Sequence, residues 1–164
     1  MELKIKVKNG HLFIYEVNSE YRHYLEHFES KVSQKDNRKF YGILIKKDKY
    51  EYCIPFTSKV KHRNSKLTIS IKNKNKVIAQ LLLNNMIPVT ENTITLVRIE
   101  DEKYIDYLKS EIIYLNNKRV INEIIKKVES MFRVLEDNQH KDYTFYKSIC
   151  CNFSVLEKEY KNYK

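Results

Sequence analysis

A chain of 164 residues supports one domain with a real core, and its formal net charge of +10 points to an anionic partner. Two glycines leave no room for a Gly-rich phosphate loop, and three cysteines, Cys53 and the adjacent Cys150 and Cys151, give neither a disulfide framework nor a zinc spacing. No apolar run approaches the length of a membrane span and the opening MELKIK holds no apolar signal core, so we expect a cytoplasmic protein away from membranes.

Taken in chain order, residues 2–8 alternate charged and apolar, Asn9-Gly10 marks a tight turn and HLFIYEV follows, which predicts a hairpin. Asn18 or Ser19 is placed to cap a first helix in which Tyr21, Tyr24, Leu25 and Phe28 recur at helical spacing. A polar loop, ESKVSQKDNRK, separates it from the strand FYGILIKK. Asp48-Lys49 turns that strand into YEYCIPF as a second hairpin. KLTISIK alternates as a strand. VIAQLLLNNMIPV is extended at least in its second half, because Pro88 opposes helix there. After TITLVRI the period changes to helical. Ile105, Leu108, Ile112 and Leu115 form one stripe, Ile121 to Leu135 another, and Asn116-Asn117 break them. Two short helices fit YTFYKSIC and FSVLEKEYKNY. The pattern is α+β: an antiparallel, curved sheet carrying helices on one side.

Charge is distributed unevenly. Residues 1–80 hold 18 Lys and Arg against 8 Asp and Glu, and residues 81–164 hold 13 against 13. From Tyr52 to Thr90 there is no acid, yet Lys59, Lys61, Arg63, Lys66, Lys72, Lys74 and Lys76 fall there, and solvated faces ordinarily mix signs. The densest part, PFTSKVKHRNSK at 55–66, sets Thr57 and Ser58 beside Lys59, Lys61, His62 and Arg63 directly after a strand. No metal box, nucleophile elbow or apolar acid pair accompanies it. Hydroxyls and cations of this kind suit metal-free cleavage of RNA. The ribose 2′-OH is an internal nucleophile, which a protein needs only to orient and deprotonate while it stabilises the phosphorane and protonates the leaving 5′-oxygen.

The segments EYRHYL at 20–25, FYGIL at 40–44, PFTSKVKH at 55–62, MIP at 86–88 and CNFSVLEKEY at 151–160 resemble, in order and spacing, the motifs of the toxin endoribonucleases of type III toxin-antitoxin systems, the ToxN/AbiQ/CptN family. The resemblance implies a single domain over 1–164, with 1–10 as an added edge strand. It implies a compact curved sheet or barrel similar to the MazF/Kid toxins, with extra helices mostly C-terminal. It also implies metal-independent cleavage leaving a 2′,3′-cyclic phosphate and a 5′-OH, with no cofactor. The partners it implies are a repeat-derived pseudoknot antitoxin RNA, which the toxin processes and which holds it in a closed toxin-RNA assembly, and cellular or phage RNA as substrate. Phage defence or genetic maintenance is the implied role.

Carried over by position, the family's hydroxyl pair falls on Thr57 and Ser58 and its tyrosine on Tyr21. Its lysine falls on Lys59 if one residue is deleted here; without that gap the position is Val60, which has no ammonium, and Lys61 becomes the fallback. The family's basic residue before the FYGIL strand falls on Arg38. Arg38, Lys39, Lys61, His62, Arg63, Lys66, Lys72 and Lys74 make up the expected RNA-contacting set. Spacing alone makes Tyr21 a core residue and Thr57 and Ser58 ordinary turn residues, and assigns CNFSVLEKEY to packing. The rival reading is a non-catalytic basic RNA-binding module. A DNA-binding regulator fits less well, because the helices over 103–135 are charge-balanced.

Overall fold

The computed structural model describes residues 1–32, 39–61, 63–98, 100 and 105–164. Among the described residues the sheet has eight strands, six of which follow the order β5-β6-β4-β3-β2-β8: β2 Tyr15–Val17, β3 Phe40–Lys47, β4 Tyr50–Thr57, β5 Thr68–Asn73, β6 Lys76–Leu82 and β8 Ile94–Leu96. β1, Leu3–Ile5, also pairs with β3, and β7, Ile87–Pro88, pairs with β4. Every pairing is antiparallel. The helices are α1 Ser19–Glu26, α2 Ile105–Leu115, α3 Lys118–Glu136, α4 Tyr143–Ile149 and α5 Phe153–Glu159.

Local chemistry explains most boundaries. Asn18 caps α1, its side chain accepting from the amides of Glu20 and Tyr21, and Asn117 breaks α2 from α3 by capping the latter through Arg119 N. Positive φ at Asp48 turns β3 into β4, and positive φ at Lys74 and Asn75 turns β5 into β6. The first half of VIAQLLLNNMIPV is therefore also a strand, β6.

The predicted N-terminal hairpin is reduced to one bridge, Lys8 to His11, around the positive-φ pair Asn9 and Gly10. β1 and β2 instead lie one after the other along β3, with Leu3 opposite Lys47 and Tyr15 opposite Gly42. Pairing with β3 buries Ile5, Tyr15 and Val17, which pairing with each other would leave on an exposed ribbon.

Ile43, Leu44 and Ile45 are consecutive and fully buried, so the middle of β3 is covered on both faces rather than one. On the Ile45 face, Tyr52 meets Phe132 of α3 and Phe153 of α5, with ring centroids 6.2 and 5.9 Å away. The opposite face bears Phe40, and Arg22 of α1 lies 5.3 Å over its ring. Late in the chain, Tyr52 donates to Glu157 Oε1 at 2.5 Å, and Asn152 N donates to buried Glu29 at 2.6 Å. α5 is thereby pinned to the sheet and to the end of α1. The three cysteines are free and buried, and burial pushes the Cys150 and Cys151 thiols up to about 12.

Glu111 departs from the pattern. It sits between Leu108 and Leu115 on the buried stripe of α2, is 3% exposed, and among the described residues its Oε2 has no hydrogen-bond partner. Burial raises its carboxyl to about 7 from 4.5. A raised acid pKa means the folded state holds the proton more tightly. Its contribution is therefore intact below pH 4.5, and stability falls as pH rises towards 7, by about 3 kcal/mol at most. Urea titrations of wild type and Glu111→Gln from pH 4 to 8 should show stabilities that diverge across this window, with the variant the more stable at pH 8. Parallel pH curves would show that the carboxyl is not desolvated.

Candidate active site

β4 carries the site. Its first six residues pair with β3, Gly42 standing opposite Pro55, and its last two pair with β6, Phe56 opposite Leu81 and Thr57 opposite Gln80. The strand passes from one neighbour to another within a single step. Ile54 and Pro55 are buried, Phe56 and Thr57 half-buried, and Ser58, Lys59, Val60 and Lys61 exposed, so the strand emerges from the core at the hydroxyl pair.

The loop that follows has a defined shape. Thr57 Oγ1 accepts from Lys59 N at 3.1 Å, a side-chain turn that sets Ser58 and Lys59 outward while leaving the Thr57 proton to donate elsewhere. Gln80, only 5% exposed, holds the next residues with its carboxamide: Oε1 accepts from Lys61 N at 3.1 Å and Nε2 donates to Lys61 O at 2.9 Å. A side chain here makes the paired bonds that a neighbouring strand would make. The Arg63 guanidinium also donates to Gln80 Oε1 and, at 3.0 Å, to Lys59 O. Arg63 therefore acts first as a brace across the loop. Lys127 of α3 secures the far end, donating to Ser65 O and Thr68 O at 2.7 and 3.1 Å.

The structure brings together Thr57, Ser58, Lys59, Lys61 and Arg63. It adds Lys39 from the start of β3, whose ammonium lies 5.9 Å from the Tyr41 ring, which in turn is 6.2 Å from Phe56. Lys72 and Lys74 are exposed at the end of β5 and in its turn. Lys66 lies 3.8 Å from Asp142, so the fold supplies a carboxylate that the sequence around it lacks. Arg38 and His62 lie outside the described residues.

Tyr21 stands apart from this group. It is wholly buried, its hydroxyl donates to Pro88 O at 2.5 Å, its ring packs 5.1 Å from that of Tyr163, and burial raises its pKa far above the usual range. In this arrangement it is a core residue fixing α1 to β7, as its spacing alone implies, and it offers no group to a ligand at the loop.

Gln80 is the residue that sequence reasoning missed. It lies in the middle of an apolar run, and its only signal is a polar residue in an otherwise apolar strand. Among the described residues no three His, Cys, Asp or Glu side chains cluster, and no helix is long and apolar enough to cross a membrane.

Chemically, two hydroxyls and several cations meet at a loop held by backbone contacts. Donors fixed in this way suit the stabilisation of negative charge on phosphate oxygens without reorganisation.

Comparison with known proteins gives consistent matches. The family described as toxin ToxN, type III toxin-antitoxin system, matches residues 13–161. An endoribonuclease ToxN from Bacillus thuringiensis subsp. kurstaki is 31% identical over 160 residues, covering 90% of this chain and 82% of that one. An endoribonuclease AbiQ from Lactococcus lactis subsp. lactis is 28% identical over 162 residues, covering 89% and 86%. Among solved structures, a chain from a type III system in which a non-coding RNA pseudoknot selectively inhibits the toxin superposes with a TM-score of 0.81 at 27% identity, covering 93% of this chain and 98% of that one. AbiQ, a lactococcal anti-phage endoribonuclease of the type III systems, superposes with a TM-score of 0.73 at 26% identity, with the same coverage.

Proposed function

This chain belongs to the ToxN family of type III toxin-antitoxin toxins, and from that membership we propose that it is an endoribonuclease restrained by a small structured RNA. The observation that carries the reading is the convergence of Thr57, Ser58 and Lys59 at the point where β4 leaves the core, with Lys61 and Arg63 in the same loop.

Thr57 and Ser58 hold the non-bridging oxygens of the scissile phosphate and orient the ribose 2′-OH. Attack by that hydroxyl forms the phosphorane, whose charge falls next to the loop cations. Departure of the 5′-oxygen with a proton leaves a 2′,3′-cyclic phosphate and a 5′-OH. Lys59 stabilises the phosphorane or supplies the departing proton, Lys61 is the alternative for that task, and Arg63 keeps the loop in register. DNA, lacking the 2′-OH, is not cut. No step requires a metal ion.

The inhibitor on this reading is a pseudoknot RNA cut from a repeated transcript by the toxin itself and held with it in a closed assembly, and the free enzyme acts on cellular or phage RNA. The crossing of β4 between two neighbours supports kinship with the curved cores of MazF/Kid toxins.

Incubating the protein with single-stranded RNA in EDTA and analysing the ends tests the reading. Fragments ending in cyclic phosphate and 5′-OH, with DNA of the same sequence intact, are expected. RNA that is bound and never cut would make the chain a non-catalytic binding module.

A further inference from the structure

One row of the sheet leads away from the site. Thr57 pairs with Gln80, and Gln80 pairs with Ser70, so these three residues lie side by side on one face of β4, β6 and β5. With neighbouring strands about 4.8 Å apart, Ser70 stands about 10 Å from Thr57. That is a reach of a few nucleotides for a strand that rises about 3.4 Å per nucleotide when stacked and more when drawn out. The Gln80 carboxamide fixes Lys61 and Arg63 over the middle of the row, which places cations along the path.

At its far end the row opens into a cleft of about 400 Å³ between β5 and the corner where α2 meets α3, lined among others by Ser70, Lys72, Tyr114 and Arg119. The one carboxylate in its wall, Glu123, is 3.0 Å from Lys127, whose ammonium also holds two carbonyls of the loop. That charge is balanced within the wall. Lys72, Arg119 and the first turn of α3 leave the cleft net positive.

Resting on the endoribonuclease reading, we propose that this cleft is a second nucleotide subsite, which takes the phosphate and ribose of a nucleotide flanking the cut. Arg119 and Lys72 meet its phosphate, and the Ser70 and Tyr114 hydroxyls meet its sugar and base edges. The subsite measures how far the RNA extends beyond the scissile bond, so it favours chains long enough to fill it.

The test measures affinity against length with fluorescein-labelled oligouridylates of two to ten nucleotides. They are offered to the full chain carrying Lys59→Ala, so that the probe stays intact, with and without Arg119→Ala. Affinity should rise about tenfold to a hundredfold at one definite length, the worth of a charge-assisted contact, and that rise should be absent in the Arg119→Ala protein while shorter probes bind both equally. An equal loss at every length, or none, overturns the subsite. The readout is binding, so it stands apart from catalysis: a protein that shows the length step and cuts no RNA retains the subsite and loses the nuclease reading.

Discussion

Replacing Lys59 by alanine should leave the protein folded and slow RNA cleavage by about 10²–10⁴-fold, the usual worth of a group that transfers a proton or meets developing charge. Two contacts that shape the loop at this residue use its backbone: its amide donates to Thr57 Oγ1 and its carbonyl accepts from Arg63. Alanine keeps both, so a lost rate in a protein that melts like wild type reports on the side chain. Lys61→Ala is the matching control, because Gln80 holds Lys61 by its amide and carbonyl in the same manner. Single-turnover cleavage of labelled RNA, with thermal melts to confirm folding, ranks the two. A large loss at Lys61 with little at Lys59 would transfer the role to Lys61, and normal cutting by both variants would remove the loop lysines from the chemistry. Lys59→Arg then separates the two tasks, since guanidinium preserves charge and gives up no proton.

Gly42→Ala should destabilise the fold by about 4 kcal/mol or more, although no residue of the site changes. A methyl group at Gly42 would stand against the carbonyl oxygen of Ile54, 2.5 Å from Cys53 Sγ and 2.8 Å from the Ile54 carbonyl carbon. Two of these atoms are backbone and cannot step aside. Gly42 faces Pro55, where β4 begins to leave β3 for β6, so the close approach is a condition of the bend that delivers Thr57 to the surface. Domains of this size are stable by roughly 5–15 kcal/mol, so such a loss puts a marginal protein near its unfolding midpoint at room temperature. A urea midpoint for Gly42→Ala equal to that of wild type would show that β3 and β4 are not so closely apposed.

Much of the architecture is legible because its signals are local. The apolar run of FYGILIKK, the alternation in KLTISIK, the Asp48-Lys49 turn and the Asn116-Asn117 break each depend on a few adjacent residues, and each stands where the sequence puts it. The N-terminal hairpin fails because Asn9-Gly10 fixes only the turn, while the partner of each strand is set by β3, more than 20 residues further on. The cationic loop can be read from charge, but what holds it cannot. Gln80 is distant in sequence and looks like an interruption of an apolar strand until the pairing of β4 with β6 brings it under Lys61. Tyr21 shows the limit of carrying a role across by resemblance. Its spacing already says core, and its hydroxyl is committed to Pro88 O.

The ties between α5 and the sheet join segments that lie far apart in the sequence. Glu29 meets the amide of Asn152, 123 residues further along, and Tyr52 meets Glu157, 105 residues further along. Without α5 the Glu29 carboxylate and the Tyr52 phenol would lose these partners, and Phe153 would be missing from the stack it forms with Tyr52 and Phe132. The closing clasp of the fold is thus a long-range one, and the entropy lost in bringing its ends together makes it slower to form than the local turns.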